Sequence, residues 1–305
     1  MDMPVIGLPR AMLWHRYGAL WQGFLESLGC ECVTSGESSR VCAERGASLS
    51  CDESCLPSKL FIGHVAELKD KCDAILIPRV ASYGNSDNVC MKFCALYDIA
   101  ANTFPGIRLL SYDLDRAHGH GEFGGFVGLG AQLGVNAARS AAAYARGQMR
   151  QRKCDTEAAQ AFDIKLRSPA ASPKILFVAH LYNTRDAQIG EPVIRRLEAL
   201  GATVLRSADA DRARCLRSSY EEPSTLMWRF NREMTGAVRL YAGQADGIVL
   251  LSAFPCGPDS LVNELIIRRM RGKPVIHIAV DELQSENGLQ TRLESFMDMI
   301  ETRRP

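Results

Sequence analysis

A chain of 305 residues, 47% hydrophobic and 23% charged, has material for two medium-sized globular domains. A formal net charge of +1, with no dense Lys/Arg run, excludes the basic footprint expected of a nucleic-acid or membrane-surface partner. No apolar stretch reaches the roughly 20 residues that span a bilayer, and Met1-Asp2-Met3-Pro4 opens no basic-then-apolar leader, so the expected location is cytoplasmic.

The pattern alternates short apolar runs with amphipathic stretches. Pro4–Leu8 reads as a strand, Ala11–Leu28 as a helix with Leu13, Trp14, Tyr17, Leu20, Phe24 and Leu28 near helical spacing, and Glu31–Thr34 as a second strand. Strands at Ala74–Pro78 and Ile107–Ser111 follow, with helices before and between, which predicts a parallel sheet with crossovers. An Ala-rich helix from about Gly130 to Gln151 closes this half. The polar, Pro-bearing residues 152–173 read as a linker between an N-terminal lobe (1–151) and a C-terminal lobe (174–305). In the second lobe, strands are expected at Lys174–Ala179, Ala202–Leu205, Gly247–Leu251 and Pro274–Ile278. Its helices are expected at Ile189–Leu200, Ser224–Ala242, from Gly257 onward, and at Arg292–Thr302. The fold class is α/β, two Rossmann-like lobes whose parallel sheets are flanked by helices, with ligands gathering at the C-terminal ends of strands.

Eleven cysteines, an odd number in a chain expected to be cytoplasmic, argue for reduced thiols rather than a disulfide framework. Three stand in distinctive settings: Cys55 in Asp52-Glu53-Ser54-Cys55-Leu56-Pro57-Ser58-Lys59, Cys90 in Asn88-Val89-Cys90-Met91-Lys92-Phe93, and Cys256 in Ser252-Ala253-Phe254-Pro255-Cys256-Gly257-Pro258-Asp259-Ser260. Each lies at a strand end or helix start, where free N–H groups and the helix dipole stabilise a thiolate, and Pro57 and Pro258 suit the first turn of a helix. The expectation is three thiolate ligands of one iron–sulfur cluster in the cleft between the lobes, with one iron left open. The bland alternative, a cysteine packed as a small hydrophobe, holds for Cys30, Cys42, Cys72, Cys154 and Cys215. A structural zinc site would draw on C-x-x-C pairs, and the chain has none.

These segments resemble a known family. Ile6-Gly7-Leu8-Pro9-Arg10-Ala11, the Cys55 motif with Gly63-His64-Val65, Ile77-Pro78-Arg79 and Cys90-Met91-Lys92-Phe93 are similar to acyl-CoA dehydratase activase-related proteins. So are Ala179-His180-Leu181-Tyr182-Asn183, the Cys256 motif, and Asp281-Glu282 with Gly288-Leu289-Gln290-Thr291-Arg292-Leu293-Glu294. The resemblance runs from Met1 to about Met299 and extends to the cluster-bearing subunits of 2-hydroxyacyl-CoA dehydratases and to double-cubane cluster proteins. It implies that Cys55, Cys90 and Cys256 hold the cluster, a 4Fe–4S group or, alternatively, an 8Fe–9S double cubane. It also implies an ATP-dependent activase, itself an iron–sulfur ATPase, as electron donor to a small-molecule acceptor, and leaves room for a homodimer or a related subunit. No P-loop appears in this chain, in keeping with ATP hydrolysis by a separate protein.

Two positions depart from the family pattern: Met91 stands where Pro is usual, and Leu283 where a His follows the Asp-Glu pair. Cys51 and Cys94 lie four residues from Cys55 and Cys90, one helical turn, and are either extra ligands or small packing residues. His64 and His180 are candidate proton donors, with a structural histidine as the alternative. Asp52, Glu53 and Asp259 read as ligand neighbours or helix caps, and Lys59 as an offset for cluster charge or a solvated residue. Gly128-Leu129-Gly130-Ala131-Gln132-Leu133-Gly134 lacks dinucleotide-loop spacing and reads as small packing residues at the start of a helix. Two other function classes stand beside the reductase reading: a non-catalytic electron-transfer or cluster-carrying subunit, and a redox-inactive acyl-CoA or metabolite-binding protein.

Overall fold

A computed structural model describes residues 3–85, 87–169, 171–219, 226–282 and 286–303. The chain divides into two compact units, Met1–Cys154 with Met227–Arg229, and Asp155–Leu226 with Phe230–Pro305.

The first unit runs β1 (Val5–Leu8), α1 (Trp14–Leu28), β2 (Glu31–Thr34), α2 (Arg40–Ser48), α3 (Leu56–Leu68), β3 (Ala74–Leu76), β4 (Arg79–Ser82), α4 (Lys92–Thr103), β5 (Leu109–Leu110), β6 (Asp113–Asp115), α5 (Glu122–Gln132) and the start of α6 (Ala137–Arg167). Its sheet is parallel in the order β2-β1-β3-β5, and β4 pairs with β6 in a small second ladder. Ile6, Leu8, Ile75 and Leu76 of the strands and Phe24, Leu25, Leu60 and Ile62 of the helices are each almost fully removed from solvent. Burial of this kind, on both faces of a parallel sheet, is why the strands read as apolar runs. Helix α3 is buried along nearly its whole length because α2 lies directly on it. The approach is so close that a Cβ on Gly46 would sit 1.9 Å from the Lys59 carbonyl oxygen, and one on Gly63 2.3 Å from that of Cys42.

The second unit contains the end of α6, then β7 (Lys174–Val178), α7 (Leu181–Thr184), α8 (Gly190–Ala199), β8 (Thr203–Arg206), α9 (Arg212–Ser219), α10 (Arg229–Tyr241), β9 (Gly247–Ala253), α11 (Gly257–Arg269), β10 (Val275–Val280) and α12 (Glu286–Glu301). Its sheet is parallel in the order β10-β9-β7-β8. Every residue of the inner strand β9 is buried. Leu176, Val178, Ile248 and Leu250 pack with Val262 and Ile266 of α11, Met234 and Val238 of α10, and Phe162 of α6. The α/β class, with parallel sheets flanked by helices, is thus present in both units.

The helix expected over 130–151 is two helices. Helix α5 ends at Gln132, Gly134 turns the chain at φ +73°, and α6 then continues to Arg167. The residues 152–173 expected as a linker therefore begin inside α6. Among the described residues no helix is long and apolar enough to cross a membrane.

Candidate functional site

Each motif cysteine marks the start of a helix. Cys55 is the N-cap residue of α3 and Cys256 that of α11, each followed two positions later by a proline whose missing N–H costs nothing there. Cys90 stands one residue before Met91, the N-cap residue of α4, and its carbonyl accepts from the Phe93 N–H at 3.0 Å. None of the eleven cysteines, all within the described residues, forms a disulfide.

Cys55 and Cys90 both belong to the first unit, and their thiols are close enough to interact electrostatically. Burial pushes the Cys55 thiol up, and Cys90 adds to the rise. The Ser58 N–H and the Lys92 ammonium oppose it without cancelling it. The helix start thus does not by itself make this thiol acidic, because desolvation of a charged sulfur outweighs the N–H donors. Lys59 is also buried, at 4% exposure, one turn into α3. The reading of Lys59 as a solvated residue does not hold.

The Cys90 segment is fastened by a distant stretch of chain. Met227–Arg229 joins the first unit through the Asn88 N–H bonded to the Met227 carbonyl at 3.0 Å and the Arg229 N–H bonded to the Asn88 carbonyl at 2.8 Å. The Arg229 guanidinium forms an ion pair with Asp87, itself 7% exposed, and lies 4.5 Å from the Tyr83 ring centroid. Asp87 and Arg229 are 142 positions apart, and neither carries a motif that marks it in the sequence.

In the second unit Cys256 opens α11 beside a buried polar group. His180, which follows β7, places Nε2 2.7 Å from Asp259 Oδ1, and Asn231 Nδ2 donates to the same oxygen at 2.8 Å. His180 stacks on Tyr182 at 4.9 Å and 16°. Burial pushes the Asp259 carboxyl up, yet His180, Asn231 and the Cys256 thiol outweigh it and leave it below its ordinary value. Asp259 is therefore a buried hydrogen-bond partner of His180 and Asn231 inside the first turn of α11 rather than a helix cap. His180 Nδ1, Asn183 Oδ1 and both amide atoms of Asn263 are buried without a hydrogen-bond partner among the described residues. A buried polar atom without a partner calls for a water, an ion or a ligand to satisfy it. His277, from β10, meets Ser252 through Nε2 at 2.8 Å, and burial together with Arg292 lowers its pKa against the pull of Asp259.

Other expected residues sit differently. His64 is completely buried within α3, bonded through Nε2 to Ser38 Oγ at 2.9 Å, and burial lowers its pKa to about 4. It is a neutral histidine at ordinary pH and carries no second proton to donate. Cys51 is exposed in the turn before α3, and Cys90 precedes α4, so neither Cys51 with Cys55 nor Cys90 with Cys94 spans a helical turn. Asp52 and Glu53 are exposed in that same turn. Leu283 lies outside the described residues. Among the described residues no three or more His, Cys, Asp or Glu side chains form a metal-holding group. A groove of about 530 Å³ on the first unit is lined by Arg79, Tyr97, His120, Gly121, Gly124 and Gly128 among others, and by no cysteine.

Among curated proteins no match to this chain was found. A solved structure of an FpvC mutant from Pseudomonas aeruginosa aligns with 98% of this chain and 99% of its own at 14% identity and a TM-score of 0.27, a likeness too slight to carry an argument. The family model described as "CoA enzyme activase uncharacterised domain (DUF2229)" matches residues 5–209, which include Cys55, Cys90, His64 and His180. The chain belongs to that CoA enzyme activase domain family.

Proposed function

We propose that the protein is an iron–sulfur component of the activase-related type, in which Cys55, Cys90 and Cys256 hold one 4Fe–4S cluster. The observation that carries this reading is the shared setting of the three thiols at helix starts, with Cys55 and Cys90 in the same unit and Cys90 adding to the rise of the Cys55 thiol. Iron binding would deprotonate the thiols outright, and the N–H donors and lysine that fail to acidify free Cys55 would then stabilise the bound sulfurs. The Ser58 N–H and Lys92 supply that compensation around Cys55. When bound, the cluster supplies one-electron transfer and an iron without a protein ligand.

This chain's own residues then orient and protonate. Asp259 and Asn231 hold His180 in one orientation near the start of α11, where an imidazole N–H serves an acceptor that gains an electron and needs a proton. The donor in this reading is a separate ATP-dependent activase. The test is to mix anaerobically reconstituted protein with an activase of the same family and follow the visible absorbance of the cluster. Bleaching with ATP, and none with a non-hydrolysable analogue, is expected. Equal bleaching with and without ATP overturns the ATP-driven part of the reading.

A further inference from the structure

The first unit contains a connected chain of oxidisable rings that the cluster reading does not use. The hydroxyls of Tyr17 and Tyr83 are hydrogen-bonded to each other. The Tyr17 ring stands 6.1 Å from that of Trp21, and Trp21 Nε1 donates to Tyr112 Oη at 3.0 Å. Tyr112 packs on Phe126 at 4.6 Å, and Phe126 on Tyr144 at 4.9 Å. Tyr17, Trp21, Tyr112 and Tyr144 are only 7, 2, 4 and 8% exposed. Burial of this sort satisfies the polar tips of the rings and also keeps a radical formed on them away from water.

The two ends of the chain differ chemically. Tyr17 meets another phenol and the Arg16 guanidinium, Tyr112 meets an indole N–H, and none of these partners is a base. Tyr144 instead donates to Glu122 Oε1 at 2.6 Å, the length of a charge-assisted bond. A phenol that loses an electron stays oxidised only if it also loses its proton, and among these rings Tyr144 is the one hydrogen-bonded to a carboxylate that can receive it, although Glu122 also lies near Tyr17 and Tyr112.

We propose that Tyr83, Tyr17, Trp21, Tyr112 and Tyr144 form a relay for oxidising equivalents that ends on the Tyr144–Glu122 pair. A one-electron oxidant, such as an oxidising radical or a high-potential metal complex, removes one electron at any ring of the chain. Each hop refills the vacancy from the neighbouring ring, until Tyr144 gives up one electron and passes its phenolic proton to Glu122. The sum is reduced oxidant, a neutral Tyr144 radical and protonated Glu122. A thiol reductant then returns one hydrogen atom to Tyr144, and Glu122 releases its proton to water. Such a relay works with or without a bound cluster.

The experiment is photo-oxidation of the purified protein by tris(bipyridine)ruthenium(III), generated with persulfate, followed by freeze-quench and electron paramagnetic resonance. A persistent tyrosyl signal is expected in the parent protein and in Tyr97→Phe and Tyr182→Phe. It should be lost in Tyr144→Phe and in Glu122→Gln, which leaves every ring in place, and should fall in intensity in Trp21→Phe. Circular dichroism checks that each variant is folded. A signal that survives at full strength in both Tyr144→Phe and Glu122→Gln overturns the proposal, as does one that disappears in Tyr97→Phe instead.

Discussion

The Asp259 carboxylate and the His180 imidazole meet at 2.7 Å with side chains only 1% and 5% exposed, so each is the other's compensation for leaving water. Removing one member strands the other, at a typical cost of about 3 kcal/mol. Asp259→Ala should therefore lower the urea unfolding free energy of the second unit by that order. A loss below about 1 kcal/mol would place the pair in the weak class of surface contacts.

His64 gives a stability that depends on pH. Its folded pKa is lowered from 6.5 to about 4 by burial, so the unfolded chain takes up the proton first as pH falls. The contribution is whole above about pH 6.5, is lost progressively down to about pH 4, and amounts to about 3 kcal/mol across that window. His64→Gln should flatten this part of the stability–pH curve. An unchanged slope would show that His64 takes up its proton without unfolding.

Two glycines should respond in opposite ways to the same added methyl. At Gly46 the new Cβ meets the Lys59 carbonyl at 1.9 Å, and since Lys59 follows Cys55 on α3, Gly46→Ala should cost about 1–3 kcal/mol and loosen iron binding. Gly128, within α5, has nothing within 4 Å, so Gly128→Ala should gain up to about 1 kcal/mol from helix propensity. Thermal melts and iron retention of the two variants, side by side, check the contrast.

Arg229 should matter to metal binding more than to folding. It clamps Asp87, three residues before Cys90, and is partly exposed, so Arg229→Ala should remain folded but release iron faster on chelator challenge. Iron release at the parent rate would remove Arg229 from the account.

Part of the fold is legible in the sequence where a strand is buried on both faces, as Gly247–Leu251 inside β9 shows, and the edge strand Glu31–Thr34 also coincides with β2. Helix α2 is not legible, since it buries only Cys42 and Gly46 and packs through a glycine contact rather than an apolar stripe. The second half of α6 resembles a linker because most of its side chains face solvent and Phe162 is one of the few that are buried. The cysteine motifs announce helix starts correctly. The supporting contacts do not announce themselves, because Arg229 reaches Asp87, and Asn231 reaches Asp259, only once the chain has folded.

The most direct test of the central claim is an iron and sulfide count after anaerobic reconstitution of single-cysteine variants. About four irons per chain are expected in the parent protein and in Cys154→Ala and Cys215→Ala, and loss of most of the iron in Cys55→Ala, Cys90→Ala and Cys256→Ala alike. A count near eight that falls further in Cys51→Ala or Cys94→Ala would indicate the double cubane. Equal iron in all five of the first-named variants would contradict the assignment.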